Sequence, residues 1–121
     1  MAKIAVLFAD GFEESESLTI VDILRRAGME SLVVGVTGKE VMGAHDINVQ
    51  ADVQLSEVSV DEMDMVVVPG GYVGVDALMY SQDALQFISD MNEAGKFVTA
   101  ICAGPRVLDR AGVLDGKRYT R

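Results

Sequence analysis

The sequence predicts an α/β fold in which a mostly parallel β-sheet is covered by helices on both faces. Four short, continuous apolar runs indicate strands that are buried on both faces, and they lie at 3–8, 31–36, 65–68 and 97–101. The segments between them carry apolar residues at helical spacing. With 121 residues, half of them hydrophobic, the chain suits one domain spanning 1–121 with its own core, and it is too apolar for a disordered protein.

The first half of the chain predicts a strand, a helix, a second strand and a hairpin. Strand 3–8 is followed by an amphipathic helix that has acids in its first turn, arginines in its last turn and Gly28 at its end. Its apolar positions follow the i, i+3, i+4, i+7 pattern and are Ile20, Ile23, Leu24 and Ala27. After strand 31–36, residues 37–53 alternate apolar pairs with glycine and polar residues, which predicts one or two short strands in a hairpin.

The second half predicts two more strands and two more helices. Strand 65–68 ends at a Pro-Gly-Gly turn, and Ser81 caps a helix that ends at Gly95. The apolar face of that helix consists of Ala84, Phe87, Ile88 and Met91. Strand 97–101 is followed at once by Cys102, and the next helix opens at Ala103-Gly104-Pro105 and runs through Ala111.

Composition and charge exclude several classes of protein. A net charge of −9 without a basic stripe disfavours binding to nucleic acid. No apolar run approaches the ~20 residues that span a bilayer, and the apolar N-terminal run is too short for a signal peptide. One cysteine and one histidine offer no internal disulfide and no zinc-site spacing. We therefore expect a cytoplasmic protein with no zinc site and no membrane or nucleic-acid partner.

Cys102 has the sequence setting of a nucleophile elbow, in which a strand turns sharply into a helix with the nucleophile at the bend. Such a turn needs small residues two positions on either side, and these are Ala100 and Gly104. The N-terminus of the following helix favours a thiolate. The alternative is that Cys102 is a small buried apolar residue at a strand end. The elbow interpretation predicts that Ile101 ends a central strand and that Cys102 has a sparsely populated backbone conformation.

Two further strand ends should border Cys102, because functional residues of open parallel sheets collect outside the carboxyl ends of the strands. Backbone amides of Gly70, Gly71 and Ala103 could form an oxyanion hole, although a lone Gly-Gly is more often a plain tight turn. Acidic residues follow the first strand, and their alternative role is to complement the helix dipole; they are Glu13, Glu14 and Glu16. His45 lies mid-hairpin, and we interpret it as a surface residue.

Four ordered motifs make the chain similar to the ThiJ/PfpI superfamily, and most of all to its branch of parkinsonism-associated deglycases and their bacterial relatives. The motifs are Asp10-Gly11-Phe12-Glu13-Glu14-Ser15-Glu16, Asp22-Ile23-Leu24-Arg25-Arg26-Ala27-Gly28, Val67-Val68-Pro69-Gly70-Gly71 and Ala100-Ile101-Cys102-Ala103-Gly104-Pro105. The resemblance runs from Lys3 to about Thr120. It implies a flavodoxin-like three-layer sandwich, similar to class I glutamine amidotransferases.

The resemblance also implies roles for individual residues. Cys102 corresponds to the family's conserved cysteine, and Glu16 to a glutamate that hydrogen-bonds the sulfur as a protonated carboxyl group. Glu13 corresponds to a second acid of the anion pocket, whose amides would come from Gly71 and Ala103. The implied activity is a cofactor-independent glyoxalase or deglycase that acts on methylglyoxal or its adducts during oxidative or carbonyl stress.

Alternative functions follow from the same resemblance. Cys102 could be a redox sensor that is oxidised to sulfinate in a stress-responsive chaperone. The family's older name implies a role in thiazole monophosphate biosynthesis, but no residue here forms a recognisable thiazole phosphate site. A peptidase activity is disfavoured, because Ala103 stands where peptidase-like members carry histidine. The resemblance also implies a homodimer.

The resemblance predicts that family members continue past Arg121 with one or two strands and a final helix. They carry a histidine near the cysteine at a position that aligns with Arg121. We therefore expect residues 113–121 to approach the sheet edge or the elbow and to lack hydrogen-bonding partners there. We also expect a companion C-terminal fragment to cover the apolar residues around Val98, Ile101 and Val107.

Overall fold

The computed structural model describes residues 2–118, and it confirms the α/β sandwich. Its main sheet has five parallel strands in the order β5-β2-β1-β6-β7. The strands are β1 (Lys3–Phe8), β2 (Glu30–Gly35), β5 (Val53–Gln54), β6 (Met65–Val68) and β7 (Phe97–Ala100). All four predicted strands are present within one residue of their expected ends, and β5 was not predicted because two residues carry no periodicity.

Residues 2–118 contain four α-helices, of which the first three lie between strands and the last follows β7: α1 (Glu14–Arg26), α2 (Tyr72–Met79), α3 (Gln82–Glu93) and α4 (Pro105–Arg110). Ser81 caps α3 as predicted, because its hydroxyl oxygen accepts from the Ala84 amide at 3.1 Å. Helix α2 was not predicted, since it begins directly after a Gly-Gly turn that the sequence analysis treated as a loop. None of the helices in residues 2–118 has the length and hydrophobicity needed to cross a membrane.

Alternate residues of the strands supply two separate cores, one on each face of the sheet. Ala5, Leu7 and Val66 face a core that helices α2, α3 and α4 complete. Val6 and Phe8 face the other way, into a smaller core with Phe12 and residues of α1. Residues 4–8 of β1 are fully buried on both faces of the sheet, which explains why this stretch is continuously apolar.

The predicted hairpin forms a separate two-stranded antiparallel sheet of β3 (Glu40–Met42) and β4 (Asn48–Gln50). Val41 at its centre is fully buried in the smaller core. The turn between β3 and β4 lies beside the loop that follows β1, because the Gly11 amide donates to the Met42 carbonyl at 2.8 Å. The hairpin is thereby fixed beside the carboxyl end of the sheet.

One prediction about β7 is wrong. Ile101 was expected to end a central strand, but β7 ends at Ala100 and is the last strand of the sheet in residues 2–118. Ile101 is exposed, Val98 is half-buried, and Val107 is a buried residue of α4. Residues 113–118 contain no strand, although Val113 packs in the core beside α4; the rest of the segment predicted to approach the edge, 119–121, lies outside the described residues.

Candidate active site

Three strand ends meet at one edge of the sheet. Strand β6 lies between β1 and β7, with Val67 opposite Val6 on one side and Val68 opposite Ala100 on the other. The loops that follow these strands are therefore neighbours, as the sequence analysis expected. They contain Gly11–Glu13, Pro69–Gly71 and Ile101–Gly104, which carry the predicted site residues apart from Glu16, which lies in the first turn of α1.

Cys102 forms the predicted elbow. Its backbone φ is +57°, a left-handed conformation that non-glycine residues rarely adopt, and its side chain is exposed. Gly104 shows why the bend needs small residues: a Cβ there would collide with the Val68 carbonyl oxygen and would lie 3.1 Å from the Ala100 Cβ. The exposed thiol excludes the alternative that Cys102 is a buried apolar residue.

The Glu16 carboxyl group lies beside the thiol, over Gly70. The Gly70 amide donates a hydrogen bond to Glu16 Oε1 at 3.1 Å. A Cβ added at Gly70 would collide with this same oxygen, and it would lie 2.8 Å from Cys102 Cβ and 3.4 Å from Cys102 Sγ. Both side chains therefore occupy the space above the Gly70 Cα. No direct hydrogen bond joins the Glu16 carboxyl to the sulfur in the described residues, so that predicted bond stays a prediction.

Two backbone amides of the predicted anion pocket are free, and one is occupied. Within residues 2–118, the Gly71 and Ala103 amides donate no hydrogen bond to another residue. Gly71 has a φ of +99°, and a Cβ there would lie 2.7 Å from both the Glu13 amide nitrogen and the Gly11 carbonyl oxygen, so only glycine fits. Gly70 departs from the expectation, because its amide is already bound to Glu16.

Glu13 links the loop after β1 to the loop after β6, and it also caps α1. Its amide donates to the Gly70 carbonyl at 3.2 Å, and its carboxyl Oε1 accepts from the Ser15 amide at 2.8 Å. Glu13 therefore caps α1, whereas the sequence analysis considered only that it complements the helix dipole. The role of Glu13 in the anion pocket stays a prediction.

The contact between Glu14 and His45 is the feature that the sequence analysis missed. Glu14 is buried, and its carboxylate oxygens accept from the His45 Nδ1 at 2.9 Å, the His45 amide at 2.7 Å and the Ile47 amide at 3.3 Å. His45 lies on the surface as predicted, with its side chain 72% exposed. The 31-residue separation gives no local pattern, so the only available signal was an excess of acids at one helix start.

These hydrogen bonds set the charges of the pair. Burial acts to raise the pKa of Glu14, but the bonds from the His45 ring and from the backbone amides outweigh it and hold the pKa at about 2. The hydrogen bond to Glu14 and its negative charge raise the pKa of His45 above its ordinary value. The pair is therefore an imidazolium and a carboxylate at mildly acidic pH.

The same residues do not suit a metal ion. Glu13, Glu14 and His45 place oxygen and nitrogen atoms within 4.8 Å of one another. However, both oxygens of Glu14 accept hydrogen bonds, the His45 Nδ1 bonds one of them, and a Glu13 oxygen caps α1. A metal ion would have to displace these bonds, so we assign the group as a hydrogen-bonded network.

Known proteins are similar to this chain in sequence and in fold. The DJ-1/PfpI family model matches residues 2–121. The chain is 38% identical to protein dj-1beta of Drosophila melanogaster over 99% of its own length, and 38% identical to protein/nucleic acid deglycase 2 of Escherichia coli over 98%. Among solved structures, the oxidized Toxoplasma gondii DJ-1 superposes with a TM-score of 0.91 at 34% identity over 96% of the chain.

The match covers only part of the relatives. The chain spans 65% of the Drosophila protein, 69% of the Escherichia coli protein and 62% of the Toxoplasma chain. The family model, the identities and the structural superposition all extend over nearly all of the chain. The chain belongs to the DJ-1/PfpI family.

Proposed function

We propose that the chain carries the thiol site of a cysteine-dependent deglycase that acts on methylglyoxal or on its adducts with amines and thiols. Relatives with 35% to 38% identity are named deglycases, which supports enzymatic activity in this family. One observation carries the proposal for this chain. The exposed Cys102 thiol and the Glu16 carboxyl share the space above Gly70, at a strained elbow.

The first step is the addition of the Cys102 thiolate to the aldehyde carbon of methylglyoxal. The new C–S bond leaves an oxyanion, which the free amides of Gly71 and Ala103 stabilise. Glu16 then gives its proton to this oxygen, and the product is a neutral hemithioacetal. An adduct on an amine or thiol reaches the same intermediate once the original nucleophile departs.

The second step moves two protons within the intermediate. Glu16, now a carboxylate, takes the proton from the former aldehyde carbon and returns it to the neighbouring ketone carbon, and the hydroxyl proton on the first carbon passes to the former ketone oxygen. The first carbon is thereby oxidised to a thioester and the second is reduced to an alcohol, so no external oxidant is needed. Water then hydrolyses the thioester, which releases lactate and restores the thiol.

Lactate release tests this proposal directly. The chain is incubated with methylglyoxal, and lactate is quantified for the wild type and for Cys102→Ser. We expect lactate from the wild type and a rate below about 1% of it from the variant, since removal of a nucleophile typically lowers turnover by several orders of magnitude. Equal lactate from both proteins would refute a cysteine nucleophile.

Oxidation of the same thiol is a second candidate function. The Toxoplasma relative is described as oxidized, and Cys102 here is the only cysteine in the sequence and is exposed. A sulfinate on Cys102 would find the same free amides at Gly71 and Ala103. Under this alternative, peroxide treatment yields a Cys102 sulfinate by mass spectrometry, and neither the wild type nor Cys102→Ser forms lactate. The homodimer that the resemblance implies stays a prediction.

A further inference from the structure

A short segment outside the thiol site is fastened to the start of α1. We call residues 42–47 the strap. The Ala44 amide of the strap donates to the Phe12 carbonyl at 2.8 Å, and the amides of His45 and Ile47 both donate to Glu14 Oε2. A single buried carboxylate therefore accepts two backbone bonds and one ring bond from the strap.

The fit between the strap and Glu14 is close. A Cβ added at Gly43 would collide with Oε2 of Glu14 and would lie 2.7 Å from its Cγ. The carboxylate thus lies against the strap backbone, and its side chain is only 7% exposed. The His45 ring covers the solvent-facing side of the Glu14 carboxylate, and most of the ring is itself exposed to solvent.

The contacts of the strap continue to the thiol site through the first turn of α1. The residue before Glu14, Glu13, donates its amide to the Gly70 carbonyl, and Gly70 in turn donates its amide to Glu16. A displacement of Glu14 would therefore move both residues that contact Gly70, the N-cap Glu13 and the α1 residue Glu16. Those contacts hold the Glu16 carboxyl beside Cys102.

We propose that Glu14 and His45 form a pH-dependent latch in which His45 is a positioning residue: the charged pair holds the strap on α1 and so holds Glu16 beside the thiol. This inference rests on the proposed function only in the role it gives to Glu16. The charged groups that face His45 are Glu14 and Glu13 from the start of α1 and Asp46 from the strap itself, and all three are acidic. They favour the imidazolium, so the latch weakens as rising pH removes its proton.

The first measurement follows the latch itself. His45 is the only histidine in the sequence, so its ring protons give one NMR titration curve. We expect the His45 pKa to lie above 6.5 in the wild type and to fall toward 6.5 in Glu14→Gln. The same His45 pKa in both proteins would overturn the latch.

The second measurement follows its effect on the thiol. Cys102 is the only cysteine, so iodoacetamide reports its reactivity alone. We expect the wild type to react about threefold faster than His45→Gln below the His45 pKa, and the two rates to converge above it, since networked residues couple by such amounts. Because His45 is exposed, this variant leaves the core intact. A rate ratio that stays constant across pH would overturn the latch.

Alkylation needs no turnover, so the two proposals fail separately. If lactate is absent but the rate ratio changes with pH, the enzymatic proposal fails and the latch stands. If lactate forms and the ratio is constant, the latch fails and the enzyme stands. Asp46→Asn, which removes a facing charge without touching Glu14, is the matched control and should shift the His45 pKa down by less than Glu14→Gln does.

Discussion

Glu14 and Glu16 lie two residues apart at the start of α1, yet their carboxyl groups have different surroundings. Glu14 is buried and accepts three hydrogen bonds from the strap. In residues 2–118, Glu16 is half-buried and accepts one bond, from Gly70, beside an exposed thiol and the Gly71 and Ala103 amides, which donate no bond there. The comparison separates structure from chemistry. Both oxygens of Glu14 accept hydrogen bonds and hold the strap, whereas the donors beside Glu16 that have no partner in residues 2–118 can bind a reacting group.

The largest loss of activity should come from Gly70→Ala, which adds a methyl group to the space that Glu16 and Cys102 occupy. Its methyl group would collide with the Glu16 carboxyl and press on Cys102. We expect lactate formation to fall by at least about 100-fold, because misplaced catalytic groups have effects of that size. Steady-state turnover of methylglyoxal measures it.

Gly28→Ala is the control for that substitution. Gly28 has a φ of +84° and no atom within 4 Å of an added Cβ. The strained backbone should lower stability by about 1 kcal/mol with turnover unchanged. If Gly70→Ala behaved like Gly28→Ala, close packing at Gly70 would not matter to the chemistry.

The next largest effect is the pH-dependent contribution of the Glu14–His45 pair to the stability of the fold. Glu14 has a folded pKa of about 2 against 4.5, so its contribution to stability is present above pH 4.5 and is lost as pH falls toward 2. The folded pKa of His45 is raised, so its contribution is complete below 6.5 and is lost as pH rises through that raised value. The pair therefore stabilises the fold most between about pH 4.5 and 6.5.

Thermal melts of Glu14→Gln across pH check this assignment. The variant cannot ionise at position 14, so we expect its melting temperature to lie several degrees below wild type in that window and to converge with it near pH 2. A variant curve parallel to the wild-type curve at every pH would assign the pH dependence to other groups.

The smallest expected effect is on stability, and it is tested on two serines that differ in whether the hydroxyl has a hydrogen-bond partner. Ser17 lies in α1, fully buried, and its hydroxyl has no partner in the described residues. Ser81 instead uses its hydroxyl to cap α3. We expect Ser17→Ala to raise the free energy of unfolding by about 0.5 kcal/mol, and Ser81→Ala to lower it by about 1 kcal/mol. Urea denaturation measures both, and equal losses would contradict the comparison.

The sequence predicted the thiol site around Cys102 better than the contact between Glu14 and His45. Continuous apolar runs identify β6 and β7, and the carboxyl ends of parallel strands lie at one edge of the sheet, so local patterns place Gly70 and Cys102 at the same edge. The link from Glu14 to His45 is made by a turn 31 residues away and has no sequence periodicity. Its only trace was an excess of acids at a helix start.

The position of β7 at the edge of the described sheet also could not be predicted from the sequence. The pattern of Phe97–Ala100 shows that a strand forms, but which strands pair with it depends on the whole chain. Likewise, the expectation that Gly70 offers a free amide failed because a side chain from α1 reaches it. Local patterns specify elements and turns, whereas the partner of each polar group is decided by tertiary packing.

The most direct test of the central claim compares two rates in one variant, Glu16→Gln. The amide can still accept from Gly70 and sit beside the thiol, but it cannot carry a proton. We predict that alkylation of Cys102 stays within about threefold of wild type, while lactate formation falls by about 100-fold or more. Glu93→Gln, an exposed glutamate on α3, is the control and should match wild type in both. Lactate formation by Glu16→Gln at the wild-type rate would contradict the account, because Glu16 would then carry no proton in the reaction.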